Sequence, residues 1–165
     1  MKLTALVRAL PSYASEDARD IEITQITADS RQVIPGALFV AYPGVNIDGA
    51  RFIPDAIQRG AVAIVAETVP LSTVHCPLII VPNARSALAH LSAAWHDFPS
   101  RQLRVIGITG TDGKTTTCTL VASILEAAGH MVGTITTVAA TIGEQRIDTG
   151  LHTTTPDAPD LQRYL

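Results

Sequence analysis

The sequence predicts an α/β protein in two parts: a mixed α/β unit over residues 1–100, then the beginning of a parallel-sheet unit over residues 103–165. Three observations lead there. Short continuous apolar runs alternate with stretches of helical periodicity, the pattern of strands covered by helices. The pair Pro99-Ser100 interrupts the chain after one such helical stretch. A glycine-rich loop then separates an apolar run from a new helix, so a second strand-loop-helix unit starts at Leu103.

In the first part, Ile21, Ile23 and Ile26 form a β-like run that ends in the polar turn Asp29-Ser30-Arg31. Pro35-Gly36 leads into a short strand, Ala37–Ala41, and the turn formers of Pro43–Gly49 follow it. A helix is expected from Ala50, with Phe52, Ile53, Ala56 and Ile57 on one face and Gly60 as its left-handed stop. Ala61–Ala66 and Pro77–Val81 are continuous apolar runs and read as buried strands. Asn83 is placed to cap a helix whose apolar face is Ala84, Leu88, Leu91 and Trp95.

In the second part, Leu103–Ile108 reads as a strand, and the helix after the loop runs from about Thr115 to Ala128. Its expected buried stripe is Leu120, Val121, Ile124, Leu125 and Ala128, with Gly129 as the stop. Met131–Val138 reads as the next strand, joined to the first by a right-handed parallel crossover. A polar hairpin around Gly143 and a helix after Pro156, with Leu161 and Leu165 one turn apart, complete the pattern. Two or three strands would leave edges and one sheet face uncovered, so the chain is expected to be a fragment of a longer protein.

Composition excludes several classes. At 47% apolar and 16% charged residues, the 165-residue chain can build a core and does not read as disordered. A net charge of -3 with no Lys/Arg cluster argues against nucleic acid as a partner. Cys76 and Cys118 lie far apart and fit a reduced compartment. Leu3–Leu10 carries Arg8 and soon meets Pro11, unlike a signal peptide, and no run has the length of a membrane span. A cytoplasmic location without membrane contact is expected. The histidines show no metal-ligand spacing, and Trp95, Phe98 and Cys118 are expected in the core.

The strongest chemical signal is Gly110-Thr111-Asp112-Gly113-Lys114-Thr115-Thr116 between an apolar run and a helix. The glycines allow backbone N–H groups to turn toward an anion, and the helix N-terminus adds its positive dipole end. This is a P-loop in a short Gly-x-x-Gly-Lys-Thr form, since position 108, where the longer pattern has its first glycine, is Ile. Lys114 is the candidate catalytic residue and would reach the β/γ-phosphates of ATP, while the Thr115 hydroxyl would bind Mg²⁺. Asp112 also suits an ordinary turn.

Three segments together resemble the Mur ligases. Val105–Thr117 resembles their ATP loop, in which Asn is commoner than Asp at position 112. Thr27–Arg31, Pro35–Ala41, Gly44, Asp48-Gly49, Phe52–Ile57 and Gly60-Ala61 resemble their N-terminal uridine-nucleotide domain. Thr154-Thr155-Pro156-Asp157 with Leu161-Gln162 resembles the Thr-Thr-Pro segment of the tripeptide-synthetase, or MurE, type, with Thr153 where Asn is usual.

The resemblance implies an N-terminal UDP-substrate domain over 1–100 and the first part of an ATP-binding domain over 103–165. It implies an ATP- and Mg²⁺-dependent ligase of peptidoglycan synthesis and cell wall biogenesis. Such an enzyme adds an amino acid to UDP-N-acetylmuramoyl-L-alanyl-D-glutamate, the muramoyl dipeptide, through an acyl phosphate. Ser30, Arg31, Thr154 and Thr155 are then the candidate substrate-binding residues. The family's carbamylated lysine, its Glu-x-Ser-Ser-His segment and its C-terminal domain have no counterpart among these 165 residues, so the chain by itself is expected to be inactive.

The residues alone leave other readings open. Asp29 and Ser30 are turn formers, and Thr155 could cap a helix with Pro156 at its first position. A P-loop also serves other phosphoryl-transfer enzymes, and the chain could be a nucleotide-sugar-binding module without catalysis of its own.

Overall fold

The computed structural model describes residues 1–15, 19–44, 47–68, 75–147 and 156–165. These form two compact units, Met1–Phe98 and Pro99–Leu165.

The first unit runs α1 (Leu3–Val7), β1 (Ala14–Ser15), β2 (Gln25–Thr27), β3 (Ala37–Ala41), α2 (Ile53–Gln58), β4 (Ala61–Ala66), β5 (Leu78–Ile80) and α3 (Ala84–Trp95). Its sheet has the order β1-β5-β4-β3-β2. The pairs β2–β3, β3–β4 and β4–β5 are parallel, and only β1 runs antiparallel at one edge. All five residues of β3 are buried. A strand flanked by parallel neighbours has both faces covered, which is why its sequence is apolar throughout rather than alternating. Ala37, Phe39 and Ala41 pack with Ile53 and Ala56 of α2 and with Ile64 and Ala66 of β4. By the two-residue period, Leu38 and Val40 belong to the other face, where α3 packs across β2, β3 and β4. The sheet is therefore a middle layer.

Local chemistry sets the ends of these elements. Asn83 Oδ1 accepts from Ser86 N at 2.7 Å, as expected of a cap, and Glu67 Oε1 accepts from Ala84 N at 2.9 Å beside it. Ahead of β3 and β4 stand Gly36 and Gly60, with φ of +89° and +106°. Gly36 N donates to Gly60 O at 2.9 Å, so the two positive-φ residues align the strand starts. Trp95 and Phe98 are half-buried, less enclosed than the core placement expected of them.

The second unit contains α4 (Lys114–Ala127), β6 (Gly133–Ile135), β7 (Ala140–Ile142), β8 (Gln145–Ile147) and α5 (Ala158–Tyr164). The hairpin around Gly143 is present as β7–β8. Three expectations are corrected here. Residues 103–108 do not form a strand: no described residue pairs with them, and Val105 and Ile106 are 63% and 59% exposed. A strand needs a lateral partner for its N–H and C=O groups, and apolar composition does not supply one. Second, Met131–Val138 yields only β6, which pairs antiparallel with β7 rather than parallel with the earlier run. Third, the stripe on α4 is only partly covered: Val121 and Leu125 are half-buried and Ala128 is exposed. Leu120 and Ile124 are 59% and 68% exposed, and Ala122 is the buried residue of that helix. Cys118 is half-buried. Periodicity reports which face of a helix wants cover, not whether cover is present. Among the described residues no helix is long and apolar enough to cross a membrane.

Gly60→Ala tests the strand alignment. An L-residue at φ +106° is strained, and its Cβ would lie 2.9 Å from Pro35 Cα, a backbone atom that cannot swing away. The substitution is expected to destabilise the first unit by about 2 kcal/mol or more. Urea unfolding followed by circular dichroism measures it, and an unchanged midpoint would refute the role given to Gly60.

Candidate functional site

The P-loop residues lie in one continuous turn of backbone. Gly110 takes φ +149°, and Gly113 takes φ +75° as the N-cap of α4, with no side chain capping the helix. The first intrahelical bond there is Thr117 N to Gly113 O at 2.8 Å. The amides of Lys114, Thr115 and Thr116 therefore have no acceptor within the helix. A Cβ built on Gly113 would meet no atom within 4 Å, so the cap faces open space. Lys114 folds back over the loop, and its ammonium donates to Gly110 O at 2.7 Å and Thr111 O at 3.0 Å. Thr111, Asp112, Gly113, Thr115 and Thr116 are exposed. Uncapped amides, a helix dipole and a cation held at the loop mouth make a site complementary to a polyanion.

Ser30 and Arg31 sit in a 3₁₀ turn after β2, each with an intramolecular partner. Asp29 organises the turn. Its Oδ1 accepts from Arg31 N at 3.0 Å and Arg31 Nε at 2.9 Å, and its Oδ2 accepts from Arg31 Nη2 at 2.8 Å. These bonds from Arg31 hold the Asp29 carboxyl below its ordinary range, against a smaller opposing effect of burial. The buried Ser30 hydroxyl is bonded to Asp55 of α2, and that bond, with Arg59 on the same carboxylate, lowers the Asp55 pKa. Ser30 thus ties the turn to α2, while the Arg31 side chain is 82% exposed. Sequence reasoning named Ser30 and Arg31 and left out Asp55, whose signal was its position one turn before Arg59.

Thr154 and Thr155 lie outside the described residues. The capping reading of Thr155 is corrected. Helix α5 starts at Ala158 with Asp157 at the N-cap, and its first-turn proline is Pro159 rather than Pro156. Among the described residues no group of three or more His, Cys, Asp or Glu side chains is placed to hold a metal.

Because Asp29 is bonded in its charged form, its contribution to stability is present above the unfolded carboxyl pKa of about 3.9 and is lost as pH falls through the lower folded value. Asp29→Asn is expected to cost about 0.5–1 kcal/mol at pH 7, as for partly exposed pairs, and clearly less near pH 3. Urea midpoints at the two pH values check this, and an equal loss at both would rule out the ionic contribution.

Known proteins resemble the chain along its length. Residues 22–96 match the Mur ligase family, catalytic domain, and residues 108–165 match the Mur ligase middle domain. The chain is 44% identical over 166 residues to a UDP-N-acetylmuramyl-tripeptide synthetase of Roseiflexus sp. (strain RS-1), covering 100% of this chain and 33% of that protein. It is 43% identical over 162 residues to a UDP-N-acetylmuramoyl-L-alanyl-D-glutamate--2,6-diaminopimelate ligase of Chlorobium phaeobacteroides, covering 96% of this chain and 31% of the other. A solved structure of a ligase with that latter name shares the fold, with a TM-score of 0.70, 23% identity, and coverage of 99% and 33%. MurF from Acinetobacter baumannii aligns with a TM-score of 0.59 and 28% identity over 75% of this chain and 27% of that one. The chain spans about a third of the length of the curated relatives it matches. With both stretches matched in order, the chain belongs to the Mur ligase family.

Proposed function

We propose that the protein carrying this chain is an ATP-dependent amide ligase. Acting in the cytoplasm, it would add an amino acid to UDP-N-acetylmuramoyl-L-alanyl-D-glutamate, a reaction of the kind named for its curated relatives. The single observation that carries the reading is the loop before α4: an uncapped helix N-terminus, open space at Gly113, and Lys114 poised over Gly110 and Thr111. A triphosphate fits that chemistry, and bound ATP supplies the phosphoryl group. Residues 1–100 are assigned to the UDP-substrate and residues 103–165 to the start of the ATP-binding domain.

In this reading the amides of Lys114, Thr115 and Thr116 receive phosphate oxygens. Lys114 exchanges the two carbonyls for the β/γ-phosphates, and Gly110, Thr111, Asp112 and Gly113 shape the turn. The Thr115 hydroxyl would be the ligand this chain offers Mg²⁺, whose charge would offset that of the triphosphate. Transfer of the γ-phosphoryl group to the substrate's terminal carboxylate would release ADP and give an acyl phosphate; the neutral amine would attack its carbonyl carbon, phosphate would leave with the amine's proton, and an amide would remain. Positioning and charge stabilisation are the loop's whole contribution. Ser30 and Arg31 are assigned to the uridine side of the substrate, Ser30 through the turn it fixes, and Thr154 and Thr155 to its phosphate or sugar.

Lys114→Ala in the full-length ligase is expected to lower amide formation by about 100-fold or more, with an unchanged circular dichroism spectrum. The assay follows phosphate release and product with Mg·ATP, the muramoyl dipeptide and candidate amino acids. Turnover within a few-fold of the unaltered enzyme counts against Lys114. Amide formation by the 165-residue chain alone would overturn the assignment of the remaining machinery to the rest of the protein.

A further inference from the structure

In open α/β sheets, ligands bind outside the carboxyl ends of the parallel strands. At that end of the first unit, the residues following β2, β3, β4 and β5 include Asp29, Tyr42, Glu67 and Asn83. Three of these four already have partners. Asp29 is saturated by Arg31 and Gln32, Glu67 accepts from the first amide of α3, and Asn83 caps the same helix. Because Glu67 holds that terminus with a carboxylate, α3 offers no anion site there.

The remaining residue, Tyr42, differs. The Arg85 guanidinium of α3 lies over its ring, 4.7 Å from the centroid. The two meet because Tyr42 continues the alternation of Leu38 and Val40 onto the face that α3 covers. The following loop pins the tyrosine: Gly49 N donates to Tyr42 O at 3.1 Å, and a Cβ on Gly49 would come within 2.5 Å of that oxygen. Among the described residues Arg85 has no carboxylate partner, and its side chain is exposed while Tyr42 is half-buried. An arginine stacked on an aromatic ring is held at its flat face and keeps the N–H groups of its edge for another partner. Planar, bidentate and permanently charged, that edge matches a phosphate.

We propose that Tyr42 and Arg85 form a specificity element of the first unit, in which Arg85, braced by the Tyr42 ring, binds a phosphate of the uridine nucleotide. The assignment rests on reading this unit as the UDP-substrate domain. It gives the unit a phosphate contact of its own, separate from the P-loop and from the Ser30 turn.

Calorimetric titration of the 165-residue chain with UDP, UMP and uridine tests it. Arg85→Ala should weaken UDP binding about tenfold or more, as loss of a charge-assisted bond does, and leave uridine unchanged. Tyr42→Phe should keep UDP affinity, because the ring remains, and Tyr42→Leu should weaken UDP more than uridine. Melting temperatures of all variants serve as the control for folding. Equal weakening of UDP and uridine by Arg85→Ala, or no change in either, overturns the proposal while leaving the UDP reading intact. Failure of the unaltered chain to bind UDP at all would instead overturn the UDP reading, and the proposal with it.

Discussion

The first unit depends on the complete burial of β3. Its five residues are at most 3% exposed, and Phe39 is among the largest side chains fully enclosed. Burial of that kind needs cover on both faces, and the chain supplies it with α2 on one side and α3 on the other. The pairing of β3 with β4 is parallel because the crossover between them lays α2 on one face of the sheet and returns the next strand in the same direction, and β2 joins the other side of β3 in the same sense. It also brings the carboxyl ends of β2 to β5 to one edge. The turn at Ser30 and the Tyr42–Arg85 pair lie at that edge as a consequence of packing a hydrophobic strand.

The second unit has the opposite character. Its chemistry lies in a backbone shape, and several of its large apolar residues face outward: Leu120 and Ile124 on α4, Val105 and Ile106 ahead of the loop, and Met131 after the helix. Helix α4 nonetheless holds its length from Lys114 to Ala127, supported by its own backbone ladder and by packing against β6. The loop keeps its form through two positive-φ glycines and the Lys114 bonds, which are local and need no deep core.

Much of this was legible in the sequence where the signal was local. The glycine turn that opens α4, the Asn83 cap, the positive φ at Gly60 and the hairpin at Gly143 are each dictated by a few neighbouring residues, and each is present. Both long apolar strands of the first unit were equally plain, because continuous burial writes itself as continuous hydrophobicity. What could not be read was pairing. Residues 103–108 have the composition of a strand, yet the ladder that would make them one needs a partner, which composition does not reveal. The Ser30 bond to Asp55 and the Arg85 contact with Tyr42 were hidden for the same reason: each joins residues more than twenty positions apart through the fold. The substrate roles proposed for Ser30 and Arg31 rest on resemblance, and their observed bonds are internal.

The Lys114 contacts have a consequence for discrimination. Its ammonium already satisfies two carbonyls across the loop, so any anion arriving there offers it an exchange of partners rather than a first one. A single small anion gains little from such an exchange. A chain of linked phosphates can occupy the helix amides with one group while another draws the lysine off its carbonyls, and the linkage raises the effective concentration of the second group. Were the loop to bind phosphates as proposed, selectivity for polyphosphates over monophosphates would follow from the lysine's prior engagement, without any additional residue to read the difference.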